Sequence, residues 1–233
     1  MRPPGCAAGY RPWFRFPYLD EGRRNLASRD AVRAALRERG LLNGYGTVDN
    51  YDWHLDALAN RARREGRTID MDALRNLYIE TLVGASNFTD RIAVEAIGRS
   101  PIHVPLLHET DLAAMYVDDL AAALRADGWE IVTMDEAYRD PIAAEEPNTW
   151  FLNGGRVAAL AHLTGRHPRT LMHERTDEAV LDRLFAERVL KQAIANETGP
   201  RQRPGPSCVL KAGPRPVPGN SDIRPGAVRP QRR

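Results

Sequence analysis

Short apolar runs alternating with amphipathic stretches constrain this chain more than any other feature. Residues 13–16, Trp-Phe-Arg-Phe, read as a buried strand ended by Pro17, because proline cannot donate to a central ladder. Ser28 is placed to cap a helix in which Val32, Ala35 and Leu36 share a face, and Gly40 is placed to end it. A second strand is expected at residues 45–48. Strand, helix, strand is the βαβ pattern, which calls for a parallel sheet covered by helices.

The same alternation continues. Residues 54–65 read as an amphipathic helix, and a second begins at Asp70 with Leu74, Leu77, Tyr78 and Leu82 at three- and four-residue spacing. Residues 102–107 supply a further strand. A helix capped by Thr110 follows, with Leu112, Met115, Tyr116, Leu120 and Leu124 on its apolar face and Gly128 at its close. Residues 129–134 read as a strand and 135–138 as a helical turn before Pro141. Three or four strands in this rhythm imply a parallel sheet with helices outside. Beyond Asp140, Val180, Leu181, Leu184, Phe185, Val189 and Ile194 mark one more amphipathic helix, packed on the sheet's outer wall or on a partner.

The ends differ from the middle. Residues 1–12 are Pro- and Gly-rich without periodicity, an unstructured lead-in. From Thr198 onward Pro, Gly and Arg dominate and apolar residues are too few to offset ordering entropy. The expected organisation is an ordered body, 13–197, and a disordered tail, 198–233. That tail holds eight Lys and Arg against one acid, a charge of +7, so the whole-chain +2 leaves the body at −5. An acidic body argues against a nucleic-acid-binding domain. No apolar run approaches the roughly 18 residues of a membrane span. Pro3, Pro4 and Gly5 interrupt the place where a signal peptide needs a continuous apolar core, so the chain as written is expected in the cytoplasm. Cys6 and Cys208 lie in the two least patterned ends and define neither a disulfide framework nor a zinc cluster.

Three short motifs carry chemistry: Arg15-Phe16-Pro17-Tyr18, Asp49-Asn50-Tyr51-Asp52-Trp53 and Leu106-Leu107-His108. Singly, each is also what an ordinary strand end, a capped helix start or a structural histidine looks like. Their order and spacing add to that. Arg15 and Asp52 are 37 residues apart and Asp52 and His108 are 56 apart, each interval leaving room for βα units, and His108 follows a predicted strand, where α/β barrels place active-site residues. Together the motifs resemble the second half of the signature of the polysaccharide deacetylases with a NodB-homology domain. The resemblance covers residues 13–140.

That resemblance implies a partial (β/α) barrel lacking its N-terminal strands. It makes His108 the general acid and Asp52 the residue that orients it and raises its pKa. Arg15 would pair with the catalytic base, Tyr18 would give a backbone N–H to the oxyanion hole, Trp53 would wall the sugar groove, and Leu106 would line the acetyl pocket. In the family a divalent, zinc-like metal is held by an Asp and a His-x-x-x-His motif N-terminal to the Arg-x-Pro-Tyr motif. Neither occurs before Arg15. No other residues offer a convincing metal site. His103 and His108 are five apart, as are His162 and His167, and five does not put two imidazoles on one helical face. His162, His167 and His173 lie among Arg156, Arg166, Arg169 and Arg175, and guanidinium groups oppose cation binding. Asp118-Asp119 reads as a solvated pair on a helix.

The functional expectation is therefore a truncated polysaccharide deacetylase, with hydrolytic removal of acetyl groups from a cell-surface or cell-wall polysaccharide as the ancestral reaction, impaired here. The alternatives are a non-catalytic carbohydrate-binding module that keeps Tyr18 and Trp53, or half of a barrel completed by a partner chain. Localisation stays open, because members of that family act mostly on envelope or extracellular polysaccharides.

Overall fold

The computed structural model describes residues 12–192 and the backbone of 227–230. Its elements run β1 (Trp13–Phe14), α1 (Leu26–Glu38), β2 (Leu42–Asn43), α2 (Asp52–Arg64), α3 (Met71–Ile97), α4 (Asp111–Ala126), β3 (Trp129–Val132), α5 (Met134–Ala137), α6 (Gly155–Leu163), α7 (Glu178–Leu184) and β4 (Ala227–Pro230). Turns of 3₁₀ type occupy Pro17–Leu19, Pro141–Ala144 and Pro168–Leu171, and a π turn, Phe185–Val189, continues α7. The architecture is mixed α/β, with helices dominant and little sheet. Among these residues no helix is long and apolar enough to cross a membrane.

Helices α2 and α4 form where the apolar spacing places them, and α3 starts where expected, after Asp70, but runs past Leu82 to Ile97. Asp70 caps α3 by accepting from the Ala73 N–H, and Thr110 caps α4 by accepting from the Ala113 N–H. Gly98, at φ 73°, ends α3 in the left-handed conformation that costs glycine nothing. Leu55, Leu58, Leu74, Leu77, Tyr78, Leu112 and Leu120 meet between the three helices, with Leu181 and Phe185 closing one side. A second cluster gathers Tyr45, Val104, Val132, Ile142, Phe151 and Val157, with Ile92 from the far half of α3. Each fully buried Leu or Ile is worth about 1.5–3 kcal/mol, against about 1 kcal/mol for a cap, so packing rather than capping holds these helices.

The sheet is smaller than the alternation predicts. β1 and β2 run parallel, Trp13 opposite Leu42 and Phe14 opposite Asn43. The expected strand 45–48 contributes a single parallel bridge, Val48 to Pro105, and the expected strand 102–107 contributes the other half of it. Side chains take the place of ladder partners there. The Val104 N–H donates to Thr47 Oγ1 at 2.7 Å, the Ile102 N–H to the Asp140 carboxylate at 2.9 Å, and Asn50 Nδ2 to the Leu106 carbonyl at 2.6 Å. The stretch 42–48 thus has β1 beside its start and 104–106 beside its end, all parallel.

Several local expectations change. Asn25, not Ser28, caps α1, accepting from the Ser28 N–H at 3.0 Å. Val32 and Met115 are exposed, and beside the expected Leu36 α1 buries Arg29 and Arg33. Arg29 donates to the Thr149 carbonyl and the Asn148 side chain, and Arg33 pairs with buried Glu21, so charge rather than apolar surface seats α1. Helix α6 is new. It starts at Gly155, whose φ of 85° and whose approach to the Gly46 and Thr47 carbonyls leave no room for a Cβ.

Of the two ends, residues 1–11, 193–226 and 231–233 lie outside the described residues, Ile194 among them. Within the expected disordered tail, however, Ala227–Pro230 runs antiparallel to β3, with Ile131 opposite Val228 and Trp129 opposite Pro230. Backbone pairing there asks little of side chains, and the proline falls at the strand's last position.

Candidate functional site

The candidate site forms where stretch 42–48 and stretch 102–106 end side by side. The first leads through Asp49 into the start of α2, the second into His108. Asn50 ties the two ends together: its side-chain oxygen accepts from the Asp52 N–H and its Nδ2 donates to Leu106.

Asp52 is fully buried and its carboxylate accepts three hydrogen bonds, from the Trp53 N–H at 2.8 Å, the His108 N–H at 2.8 Å and His108 Nδ1 at 2.6 Å. Holding both the backbone and the ring of His108 fixes its orientation and its tautomer. Nε2 has no hydrogen-bond partner among the described residues, and the imidazole is 41% exposed. The Asp52 hydrogen bond raises the His108 pKa, burial opposes this, and Asp49 adds to the rise while Arg15 works against it.

Asp49 is the residue the sequence reasoning left without a role. Burial pushes its carboxyl up to about 7, against the pull of the Asn50 N–H and of His108, with Asp52 adding to the rise. Asp49 and His108 are thus within electrostatic reach of each other, and the pKa of each is raised above its ordinary value. The available signal was position: Asp49 follows the predicted strand 45–48, as His108 follows 102–107.

The other predicted residues are distributed around this pair. Trp53 is 38% exposed and packs on Tyr51, with ring centroids 5.3 Å apart, leaving part of its ring to solvent. Leu106 is half-buried beneath the Asn50 clasp. Arg15 reaches backbone rather than carboxylate: Nε donates to the Gly44 carbonyl at 2.7 Å and Nη2 to the Tyr138 hydroxyl at 3.2 Å. Tyr18 is 85% exposed, its ring in solvent, and with Leu19 it adopts a left-handed backbone, φ 58° and 53°. Such a conformation costs a non-glycine residue about 1–2 kcal/mol. Of the remaining histidines, His54 pairs with Asp182 and buried His103 with Thr47 and Asp90, and the other three serve local packing and turns. His162 bonds the Arg166 carbonyl and meets Trp150 and Phe151 edge to face, His167 caps the 3₁₀ turn Pro168–Leu171, and His173 packs on Phe88. Asp119 is paired with Arg75.

The donor set does not fit the divalent metal that the resemblance implies. Both Asp52 oxygens and His108 Nδ1 are committed to one another, which leaves Asp49 and His108 Nε2, and among the described residues no group of three His, Cys, Asp or Glu is placed to hold an ion. What the arrangement can do by itself is hold and deliver a proton at Nε2. Comparison with known protein families, with curated proteins and with solved structures gives no match.

Proposed function

We propose that this chain carries the general-acid half of a polysaccharide deacetylase site on a partial (β/α) barrel of the NodB type, and binds an acetylated oligosaccharide against Trp53. The observation that carries the reading is the Asp52–His108 contact. Two residues 56 apart, which the motif resemblance assigns to orient each other, meet at 2.6 Å at the ends of neighbouring parallel segments.

In this reading His108 Nε2, protonated, gives its proton to the sugar nitrogen or oxygen as the bond to the acetyl carbon breaks. Asp52 favours the imidazolium and aims it. Trp53 presents a ring face to the sugar, Leu106 lies beside the acetyl group, and the Tyr18 backbone N–H, on a left-handed turn, serves the developing oxyanion. Arg15 holds the 44–45 backbone from which Asp49 and Asp52 follow. The water-activating arm, with its metal and base, is not supplied by these residues, so the 233-residue chain alone is expected to be inactive or nearly so. A partner chain completing the barrel is the route by which it would gain that arm.

The exposure of Trp53 and Tyr18 also favours a second reading, a carbohydrate-binding module without catalysis. One experiment serves both. Acetylated oligosaccharides are incubated with the zinc-loaded chain while acetate release and binding are followed. The expected result is no acetate above background and saturable binding weakened about tenfold or more by Trp53→Ala. Chelator-sensitive acetate release would overturn the inactive assignment, and absence of binding would overturn the groove.

A further inference from the structure

A second concavity, independent of the deacetylase reading, lies between α1, β2 and the turn Pro141–Ala144. It has a volume of about 280 Å³, at the small end of ligand-sized pockets. Its walls include three arginines: Arg33 is neutralised by buried Glu21 and Arg37 faces Glu146, so the positive charge left uncompensated in the lining is that of Arg156.

Arg156 is the unusual member. Only 6% exposed, it spends Nη1 on the carbonyls of Ile142 and Ala143, at 3.1 and 2.8 Å, and lies over the Tyr45 ring with its guanidinium carbon 4.2 Å from the ring centroid. Among the described residues no carboxylate comes within ion-pair distance of it. The nearest candidate is committed, because Glu21 is bound by Arg33 on one oxygen and by Asn43 Nδ2 on the other. A buried cation without a counter-charge is costly, and burial accordingly works against the charged form of Arg156.

The rest of the lining is suited to a small organic ligand. Trp13 and Tyr138 meet edge to face, with centroids 4.4 Å apart, and Leu36 adds apolar surface. Arg37 is 59% exposed and, among the described residues, its guanidinium is bound to the similarly open Glu146, a pair that water and salt screen and that an incoming anion can displace. A guanidinium fork matches a carboxylate or phosphate in a way that a carbonyl pair does not.

We propose that this cavity is a binding site for a small organic anion, a carboxylate or phosphate monoester carried on a ring, whose charge is met by Arg156 and Arg37 and whose ring lies against Trp13 and Tyr138.

The test is an NMR titration that follows the Trp13 indole N–H, assigned through Trp13→Phe, with phenyl phosphate, benzoate and uncharged phenol as probes. Saturable shifts with phenyl phosphate or benzoate but not phenol are expected, and the tighter of the two anions identifies the acid class. Arg37→Ala, at an exposed position that leaves the fold intact, should weaken binding about fivefold or more. Arg156→Lys, which keeps the charge but loses the fork, should weaken it further, provided its spectrum remains dispersed. No saturable shift with either anion overturns the proposal, and so does binding unchanged in Arg37→Ala.

Discussion

His108 Nδ1 is spent on Asp52, which leaves Nε2 as the one ring position able to exchange a proton with a ligand. Removing the carboxylate's charge while keeping its shape, with Asp52→Asn, should lower the His108 pKa toward the ordinary histidine value, measurable by NMR titration of its ring protons. Asp49 makes a separate prediction. Its folded carboxyl titrates at about 7 against 3.8 for an ordinary aspartate, so the folded state holds the proton longer than the unfolded one. Stability linked to Asp49 is complete below 3.8 and is lost as pH rises toward 7. Asp49→Asn should flatten that decline by on the order of 2 kcal/mol, once solvent screening of a half-buried group is allowed for, as seen in denaturation midpoints across this pH range. Asp52, Trp53 and His108 could be picked out from motif and spacing alone. Asp49 stood in the same motif without a role, because what distinguishes it is burial, which the order of residues does not display. The target of Arg15, the Gly44 carbonyl, depends on how β1 and β2 align, and no motif encodes that.

At the scale of elements, α1 shows where local pattern and tertiary structure part. The residue that caps it is Asn25, so Asn25→Ala should cost about 1 kcal/mol in urea denaturation, while Ser28→Ala, which keeps only the donating N–H at that place, should change stability by about 0.5 kcal/mol or less. Of the apolar face assigned to α1, Leu36 is buried but Val32 is exposed, because Arg29 and Arg33 bury their stems while their guanidinium groups find carbonyls and Glu21 across the fold. Helix α6 escaped notice for the opposite reason. Gly155 to Ala159 and Ala161 are all buried, so no polar stripe alternates with an apolar one and the periodic signal vanishes. By contrast α2 and α4 face solvent on one side and were readable almost to their caps, while α3 was readable from its cap at Asp70 to Leu82 and runs on to Ile97. The strands were overextended because Thr47, Asn50 and Asp140 supply hydrogen bonds that a continuous ladder would otherwise provide.

For the molecule as a whole, α3 matters most. Its first half lies in the cluster around Leu77 and Leu112, its second half in the cluster around Val104 and Ile142, and a 27-residue helix spans about 40 Å. Damage to either cluster should therefore reach the other. Leu77→Ala and Ile142→Ala are each expected to cost about 2–5 kcal/mol and to shift one shared unfolding transition. Coincident denaturation curves by circular dichroism and tryptophan fluorescence would verify this, and two separated transitions would refute it. Finally, the pairing of Ala227–Pro230 with Trp129–Val132 bears on how the polypeptide is handled. A proline- and arginine-rich tail invites trimming, yet four of its residues shield one rim of β3. Cut at residue 192, the protein would offer bare amides and carbonyls along that rim to any extended chain, a second copy included, and what looked like dispensable ballast would prove to have been its guard against self-adhesion.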